Sequence, residues 1–351
     1  MVAEARGEPL SRATSAPAYP RAMRTPLIAL SLALTIACAT PPTATPDAGG
    51  SADAGPADAA RVDAAALDAT AEDAGADASS AADAATTREF GAPVALGTTP
   101  TSLPEISGIV ASRTHPGVYW VENDSGNPPE LYAIDEHGVL LATITVAGAT
   151  NVDWEDIALA PGASGDVLYV ADTGDNAARD TAGVSGRTGI RLYRLAEPDP
   201  ALGDRSLPAE VIELRYPAQR HDCEAVFVDP ASGDVYLVSK ENAPPARLFV
   251  ARAPLAAGPT TTLEDLGTVD VTLATAADMR RDGEQITVRN YAQVRVYDVL
   301  PGGIAASLAS TTFLSAAPGS AAEAICFDDH DRDLLTIAEG RGATLFRIPR
   351  L

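Results

Sequence analysis

Short apolar segments alternate with turn residues from residue 88 to the end of the chain, and the pattern repeats. Each unit opens with an acidic residue beside an apolar stretch, and these acids are Glu105, Glu155, Glu224, Asp278 and Glu323. A turn rich in Pro, Gly and Asp follows, and then a strand of β-branched and aromatic residues, as at 229–234 and 235–238. Such turn residues are typical of tight connections between strands. The pattern predicts repeated β-structure, and we see no helical period in this region.

Two further strands complete the repeated unit. The third strand carries an apolar and aromatic pair in every unit: Leu131-Tyr132, Leu192-Tyr193, Leu248-Phe249, Val296-Tyr297 and Leu345-Phe346. A fourth strand is predicted at 140–146, 211–216, 269–273 and 307–314. A repeat of four strands is typical of β-propellers. We therefore predict an all-β fold, a β-propeller of five four-stranded blades. Six blades, with one in the polar insertion near 177–187, is the alternative.

The last unit lacks a fourth strand because the chain ends at Leu351. Residues 90–96, which precede the first acid of the repeat, form an apolar segment able to supply it. Pairing the two ends of the domain removes the open edge strands that a linear array leaves exposed. We predict that residues 90–96 close the ring as the outer strand of the last blade.

The N-terminal region has the features of an export signal. Met23-Arg24 precedes an apolar run at 27–37 that is too short to span a bilayer as a mature helix. We assign residues 1–38 to the signal, with the start of translation at residue 1 or at Met23. Cys38 follows Thr-Ile-Ala, which resembles a lipoprotein cleavage site, so we predict a lipid anchor on Cys38. Ordinary cleavage after Ala39, giving a secreted protein, is the alternative.

Residues 39–87 are rich in Ala and Asp and contain no aromatic residue. Their aspartates include a regular series at Asp53, Asp58, Asp63, Asp68 and Asp73. Such a segment has too little apolar surface to offset its ordering entropy, and its like charges keep it extended. We predict a disordered tether that holds the 88–351 domain off a membrane, in an outer-membrane lipoprotein that is periplasmic or on the cell surface.

Charge and cysteine content narrow the choice of partners. The formal net charge of −23 argues against nucleic acid as a partner. With Cys38 used in export, only Cys223 and Cys326 remain. Two cysteines in a large exported domain do not make a disulfide scaffold. We expect two buried thiols, and a single disulfide is the alternative.

The repeated acids are the main candidates for chemistry. In a propeller blade the first strand lines the channel, so its start and the end of the second strand reach the same face. Loops at 123–127 and 172–176 add oxygen donors there. Converging carboxylates repel one another unless they are protonated, paired or bound to metal, and oxygen-rich surroundings suit Ca²⁺. The predicted calcium ligands are Glu105, Glu155, Glu224, Asp278 and Glu323, with Asn123, Asp172 and Asn290. The alternative is that each acid accepts backbone N–H bonds from a neighbouring blade.

Four short motifs carry a resemblance to known proteins: Pro-Glu-Ile-Ser-Gly-Ile at 104–109, Asn-Asp-Ser-Gly at 123–126, Asp-Trp-Glu-Asp-Ile-Ala at 153–158 and Asp-Thr-Gly-Asp-Asn at 172–176. With these motifs the domain resembles exported bacterial β-propeller proteins of uncharacterised function. More distantly, it is similar to calcium-dependent propellers of the phytase-like, gluconolactonase-like and paraoxonase-like groups. That resemblance implies a Ca²⁺ ion held by Glu105, Asn123, Asp172 and Asn290. Those groups have six blades, whereas this sequence indicates five.

Two functions fit these features. The first is a ligand-binding or protein-binding module with a calcium site at the channel mouth. The alternative is a calcium-dependent hydrolase of esters, lactones or phosphate esters, for which His221, beside Asp222 on the polar face, is the candidate catalytic base. No G-x-S-x-G motif is present, and a histidine at a strand start is more often a structural hydrogen-bonding group. The sequence favours the binding module.

Overall fold

The computed structural model describes residues 89–180, 187–243 and 245–351, without the side chain of Asp180. In this part of the chain, five small sheets form a ring, which is a five-bladed β-propeller. The prediction of five blades is confirmed, and the six-bladed alternative is wrong. The predicted signal, Cys38 and the predicted tether lie outside the described residues.

The blades are numbered one to five from the first complete blade. Strand β1 (Val94–Thr98) precedes blade one, whose strands are β2 (Ile106–Ala111), β3 (Val118–Asn123), β4 (Glu130–Asp135) and β5 (Leu140–Ala147). The next segments are β6 (Trp154–Gly162), β7 (Gly165–Asp172), helix α1 (Asn176–Asp180), β8 (Ile190–Ala196), a 3₁₀ turn (Pro200–Leu202), β9 (Arg205–Pro208) and β10 (Glu210–Arg215).

The remaining elements follow in the same order. They are β11 (Cys223–Val228), β12 (Val235–Ser239), β13 (Ala246–Ala251), β14 (Thr261–Thr262) and β15 (Glu264–Val269); then β16 (Ala276–Met279), β17 (Gln285–Arg289), β18 (Val294–Asp298), helix α2 (Ile304–Leu308) and β19 (Leu314–Ala316); and finally β20 (Ala324–Phe327), β21 (Leu334–Ile337) and β22 (Thr344–Ile348). Neighbouring strands within each blade pair antiparallel, with two exceptions. Strand β9 adds in parallel to β5 of blade one, and β14 adds in parallel to β10 of blade two.

The ring is closed by the N-terminal end of the domain, as predicted. Strand β1 pairs antiparallel with β22, and an isolated bridge joins Phe90 to Arg350. The regular strand starts later than the predicted residues 90–96 because Pro93 has no backbone N–H to donate to the ladder. Gly97 is required in β1, since a Cβ at this position would collide with the His137 carbonyl group of blade one.

Two of the predicted fourth strands are wrong in position. Blade three uses β15 rather than residues 269–273, and Leu273 has a positive φ of 51° that does not continue a strand. In blade four, the predicted 307–314 strand is replaced by α2 and the short β19, so the expectation of no helix also fails. Outer strands are half exposed, so their apolar pattern is weak. A five-residue helix is too short to show a helical period.

The core lies between adjacent blades, where sheets pack face to face. Trp120 of blade one and Trp154 of blade two are fully buried in the same cluster with Tyr193. Cys223 and Cys326 are buried free thiols, as expected. The packed inner strands give the channel mouth a rigid frame.

No helix among the described residues is long and apolar enough to cross a membrane.

Candidate functional site

Five carboxylates gather where the inner strands of blades two and three begin. The carboxylate oxygens of Asp124, Asp153 and Glu155 lie within 4.8 Å of one another, and so do those of Glu155, Asp222 and Glu224. Glu155 belongs to both groups, so the five residues form one continuous set across three blades. We call this set the acidic cluster.

Backbone irregularities place the two glutamates of the acidic cluster. In β6, Trp154 pairs with Asp172 and Asp156 pairs with Ala171, so Glu155 is left out of the ladder. The same shift occurs in β11, where Glu224 is passed over. A β-bulge of this kind turns a side chain out of the regular alternation. Both glutamates are thereby directed to the channel mouth.

A glycine loop packs directly against the acidic cluster. A Cβ atom on Gly174 would collide with Glu155 Oε1 and lie 2.6 Å from Asp153 Oδ2, so any larger residue here would displace these two carboxylates. Arg187 fixes this loop, because its guanidinium donates to the Gly174 carbonyl at 2.7 Å and to Asp172 Oδ1 at 2.6 Å. The loop therefore forms one wall of a small oxygen-lined cradle.

The carboxyl groups of the cluster are held away from water. Burial raises the pKa of Asp124 to about 6 and that of Asp153 to about 7. Burial, followed by the neighbouring charge of Glu224, raises the pKa of Glu155 well above its ordinary value. Gathered carboxylates of this kind are mutually destabilising when ionised, unless a cation lies among them.

The two halves of the cluster differ in their compensation by basic groups. Arg179 Nη1 lies 3.1 Å from Asp222 Oδ2 and 3.5 Å from Glu224 Oε1, and Lys240 Nζ contacts Glu224 Oε2. By contrast, Asp124, Asp153 and Glu155 form no ion pair with any basic side chain of the described residues. The half without an ion pair is the better position for a cation.

Lys240, the single lysine of the chain, links the cluster to blades four and five. Its ammonium group donates to the Tyr291 hydroxyl at 2.9 Å, and that hydroxyl donates to Glu323 Oε1 at 2.7 Å. Glu339 neighbours Glu323, and burial, followed by the Glu323 charge, raises the pKa of Glu339 to about 8. Glu323 is thus reached through a hydrogen-bonded chain and is outside the two carboxylate groups.

Three other predicted ligands are engaged by protein groups at the same face. The exposed Glu105 accepts a bond of 2.6 Å from Asn127, and Asn123 Oδ1 accepts the Glu105 amide at 3.2 Å. Asn290 donates to the Thr272 carbonyl and accepts two amides of its own turn. The structure does not bring these side chains into the acidic cluster.

The last two predicted ligands differ in position. Asp278 lies deeper in the channel, where it accepts the amides of Met279 and Phe327, each at 2.8 Å. Its contacts match the alternative of a structural acceptor. Asp172 is buried beside the glycine loop, and its Oδ2 atom has no hydrogen-bond partner among the described residues. Asp172 Oδ2 is therefore an unused oxygen donor at the edge of the cradle.

His221, the candidate base, is buried at 8% exposure. Its Nδ1 atom lies 3.0 Å from Glu241 Oε1. Its ring packs against Tyr216 and Phe249, with centroid distances of 5.4 and 5.0 Å. These contacts are typical of a structural histidine, and they give the hydrolase alternative no direct support.

Sequence reasoning missed Asp156, which is fully buried at the centre of the ring. Its Oδ2 atom accepts the amides of Val226 at 2.8 Å and Ala277 at 3.2 Å, and its Oδ1 atom accepts the amide of Ile157. One carboxyl group thus binds the inner strands of blades two, three and four. The sequence signal for Asp156 was a second acidic residue, directly after Glu155, at the start of a strand that continues with apolar residues.

Comparisons with known proteins add little to this geometry. No protein-family profile matches the chain, and no curated protein matches it in sequence. Among solved structures, it is similar to a gluconolactonase from Xanthomonas campestris with 13% identity and a TM-score of 0.44, over 74% of this chain and 89% of that chain. A similarity this distant carries no argument about function.

Proposed function

We propose that this protein is a calcium-binding β-propeller that captures a ligand at its channel mouth. The observation that carries the proposal is the group of Asp124, Asp153 and Glu155, whose oxygens converge without a basic partner among the described residues. Gly174, which has no side chain, lets two of these carboxylates pack directly against its backbone. The bound ion would neutralise the group and offer its remaining coordination positions to ligand oxygens.

The donor chemistry fits a hard cation. Ca²⁺ takes about 6–8 oxygen ligands, and three carboxylates supply at most about six of them. Asp172 Oδ2 is a further buried oxygen without a partner among the described residues. Neither group of the acidic cluster contains an imidazole or a thiol, the donors that zinc and copper prefer. The set therefore favours calcium over a transition metal.

Calcium is expected to raise the melting temperature of the full chain by about 5–10 °C at a hundredfold excess over Kd, relative to EGTA. Glu155→Gln should abolish this shift because it removes the shared carboxylate. In EGTA the variant should melt at or above the wild type, since it no longer carries a buried acid with a raised pKa. Differential scanning calorimetry measures both effects.

Glu105→Gln is the matched control, because Glu105 is exposed and outside the acidic cluster. It should keep the full calcium shift. Identical melting of the wild type in Ca²⁺ and EGTA would leave the acids as structural groups and refute the proposal. The purified protein also tests the hydrolase alternative. Turnover of esters, lactones or phosphate esters that requires calcium and is lost in Asp153→Asn would show that the protein is an enzyme and not a binding module.

We further propose that the propeller acts outside the cytoplasm on a lipid anchor at Cys38, on the basis of the N-terminal sequence. Cys38→Ser is expected to block acyl labelling and to move the protein from the membrane fraction to the soluble fraction. Labelling with a fatty-acid analogue and fractionation measure this. Wild-type protein that is entirely soluble after cleavage behind Ala39 would instead indicate plain secretion.

A further inference from the structure

The proposed calcium site is divided between two blades. Asp124 follows β3 of blade one, whereas Asp153 and Glu155 lie at the start of β6 in blade two. Their oxygens lie within 4.8 Å of one another because the two blades meet closely at the channel mouth. Since Ca²⁺ binds oxygen ligands at about 2.3–2.6 Å, a shift of about 1 Å between the blades would remove Asp124 from the coordination shell. The separation of the two blades therefore decides how well this site holds the ion.

Asn151 joins the two blades at this position. Its Nδ2 atom donates to the carbonyl oxygens of Asn123 at 2.9 Å and Asp124 at 2.8 Å in blade one. Its Oδ1 atom accepts the amide of Trp154 at 3.1 Å, and Trp154 is the first residue of β6 in blade two. A primary amide has two N–H donors and one acceptor oxygen, so its nitrogen and its oxygen are both used here. Reversing the amide would place its oxygen against two carbonyl oxygens, and its orientation is thereby fixed.

Asn151 is itself attached to the core between the two blades. The carbonyl oxygen of the preceding residue, Thr150, accepts the indole N–H of Trp154 at 3.0 Å. The Thr150 amide donates to the Tyr193 hydroxyl at 3.2 Å. Trp154 and Tyr193 are buried together, with ring centroids 5.8 Å apart. Asn151 therefore has a rigid support, and its hydrogen bonds hold the loop that carries Asp124 at a constant distance from β6.

The contacts of Asn151 give it a different role from that of a ligand, because its side-chain oxygen is bonded to the Trp154 amide. We propose that Asn151 is the positioning residue of the calcium site, which holds Asp124 at the distance from the two carboxylates of blade two that Ca²⁺ requires. This inference rests on the proposed function, since it concerns the same ion. Mg²⁺ requires shorter bonds of about 2.0–2.1 Å in near-ideal octahedral geometry. A fixed separation therefore also determines the preference of the site for Ca²⁺ over Mg²⁺.

Isothermal titration of the full chain with CaCl₂ and with MgCl₂ at constant ionic strength tests this inference. Asn151→Ala removes all three bonds and is expected to raise the Kd for Ca²⁺ about ten- to a hundredfold, the usual effect of losing a group that orients a metal ligand. The ratio of Ca²⁺ to Mg²⁺ affinity should fall as well, because a loosened pair of blades no longer favours the longer bonds. Asn151→Ser, whose hydroxyl donates one hydrogen bond at most, should lie between the wild type and Asn151→Ala, and it decides the test where the alanine variant does not fold.

Gln285→Ala is the matched control, because Gln285 also has an amide side chain that joins two blades. This amide donates to Asp298 and accepts from Arg280 and Arg350, so it connects blade four to the C-terminal end of blade five. Gln285 lies at the start of β17, and only the end of that strand reaches the channel mouth. Both alanine variants should melt below the wild type in EGTA, and only Asn151→Ala should weaken calcium binding.

Equal affinity for Ca²⁺ in the wild type and in both Asn151 variants would overturn the inference and leave the calcium site standing. An equal loss of affinity in Asn151→Ala and Gln285→Ala would also overturn it, because general loosening of the ring would then be the cause. A wild type that shows neither heat of binding nor a melting shift with Ca²⁺ would refute the proposed function, and the inference with it. The behaviour of the wild type alone thus separates failure of the proposed function from failure of the inference.

Discussion

Deletion of residues 89–98 is expected to abolish cooperative folding of the propeller. This segment contains β1, which completes blade five by pairing with β22 from Val94 to Thr98. It also contains Phe90, which is 4% exposed in the cluster that holds Ile325 and Phe327. Loss of such an aromatic side chain alone costs about 3–5 kcal/mol, against a total stability of about 5–15 kcal/mol. The loss of the ladder to β22 adds to that cost.

Circular dichroism melting of the deletion variant checks this result. Deletion of residues 40–85, which the sequence predicts to be a tether, is the matched control and should leave the melting temperature unchanged. Phe90→Ala should lie between the two, with a lower midpoint and intact cooperativity. Equal melting temperatures for the two deletions would show that the closing strand contributes nothing to the stability of the ring.

The inner part of the fold was predictable because inner strands are buried on both faces. Glu224 precedes a run of Ala, Val and Phe, and the corresponding β11 is buried along its whole length. Outer strands lack this signal. In β15, residues such as Glu264 and Asp265 are exposed, and the only fully buried residue is Val269 at its end. The apolar positions near 269–273 were therefore assigned to the strand, whereas Val271 packs as a buried loop residue.

The candidate site was predictable only in part, because strand register decides which face each acidic side chain reaches, and the sequence does not show the register. Asp278 was aligned with Glu155 and Glu224, yet β16 pairs with β17 without a bulge. Asp278 consequently lies opposite Thr287, further along its strand, and serves as an acceptor between blades four and five. A change of one residue in register moves a side chain to the other face, and no local motif records it.

Asp153 and Asp222 were not predicted as ligands, although a signal for them exists. Each stands two residues before the glutamate of its blade, so Asp-x-Glu recurs at the start of β6 and of β11. In each pair the aspartate lies just before the strand and the glutamate lies in the bulge, and both side chains then point to the channel mouth. Since blades one, four and five lack this pair, the acidic cluster is confined to one side of the channel.

Asp156→Ala is expected to lower the free energy of unfolding by about 3–6 kcal/mol. The substitution leaves the buried amides of Val226 and Ala277, and that of Ile157, without their acceptor, and each unsatisfied buried donor costs about 1–3 kcal/mol. Urea denaturation measures the change.

Asp156→Asn provides the matched comparison. Its amide oxygen keeps an acceptor for the two amides from blades three and four, so the loss should be about 1–2 kcal/mol, close to that of a single hydrogen bond. Asp278→Ala, which removes an acceptor for two amides instead of three, should fall between these variants. If Asp156→Ala unfolds within about 1 kcal/mol of the wild type, the inner strands hold together by packing alone. A cost that decreases from Asp156→Ala through Asp278→Ala to Asp156→Asn would instead show that one buried carboxyl group joins three blades and keeps the channel mouth in place.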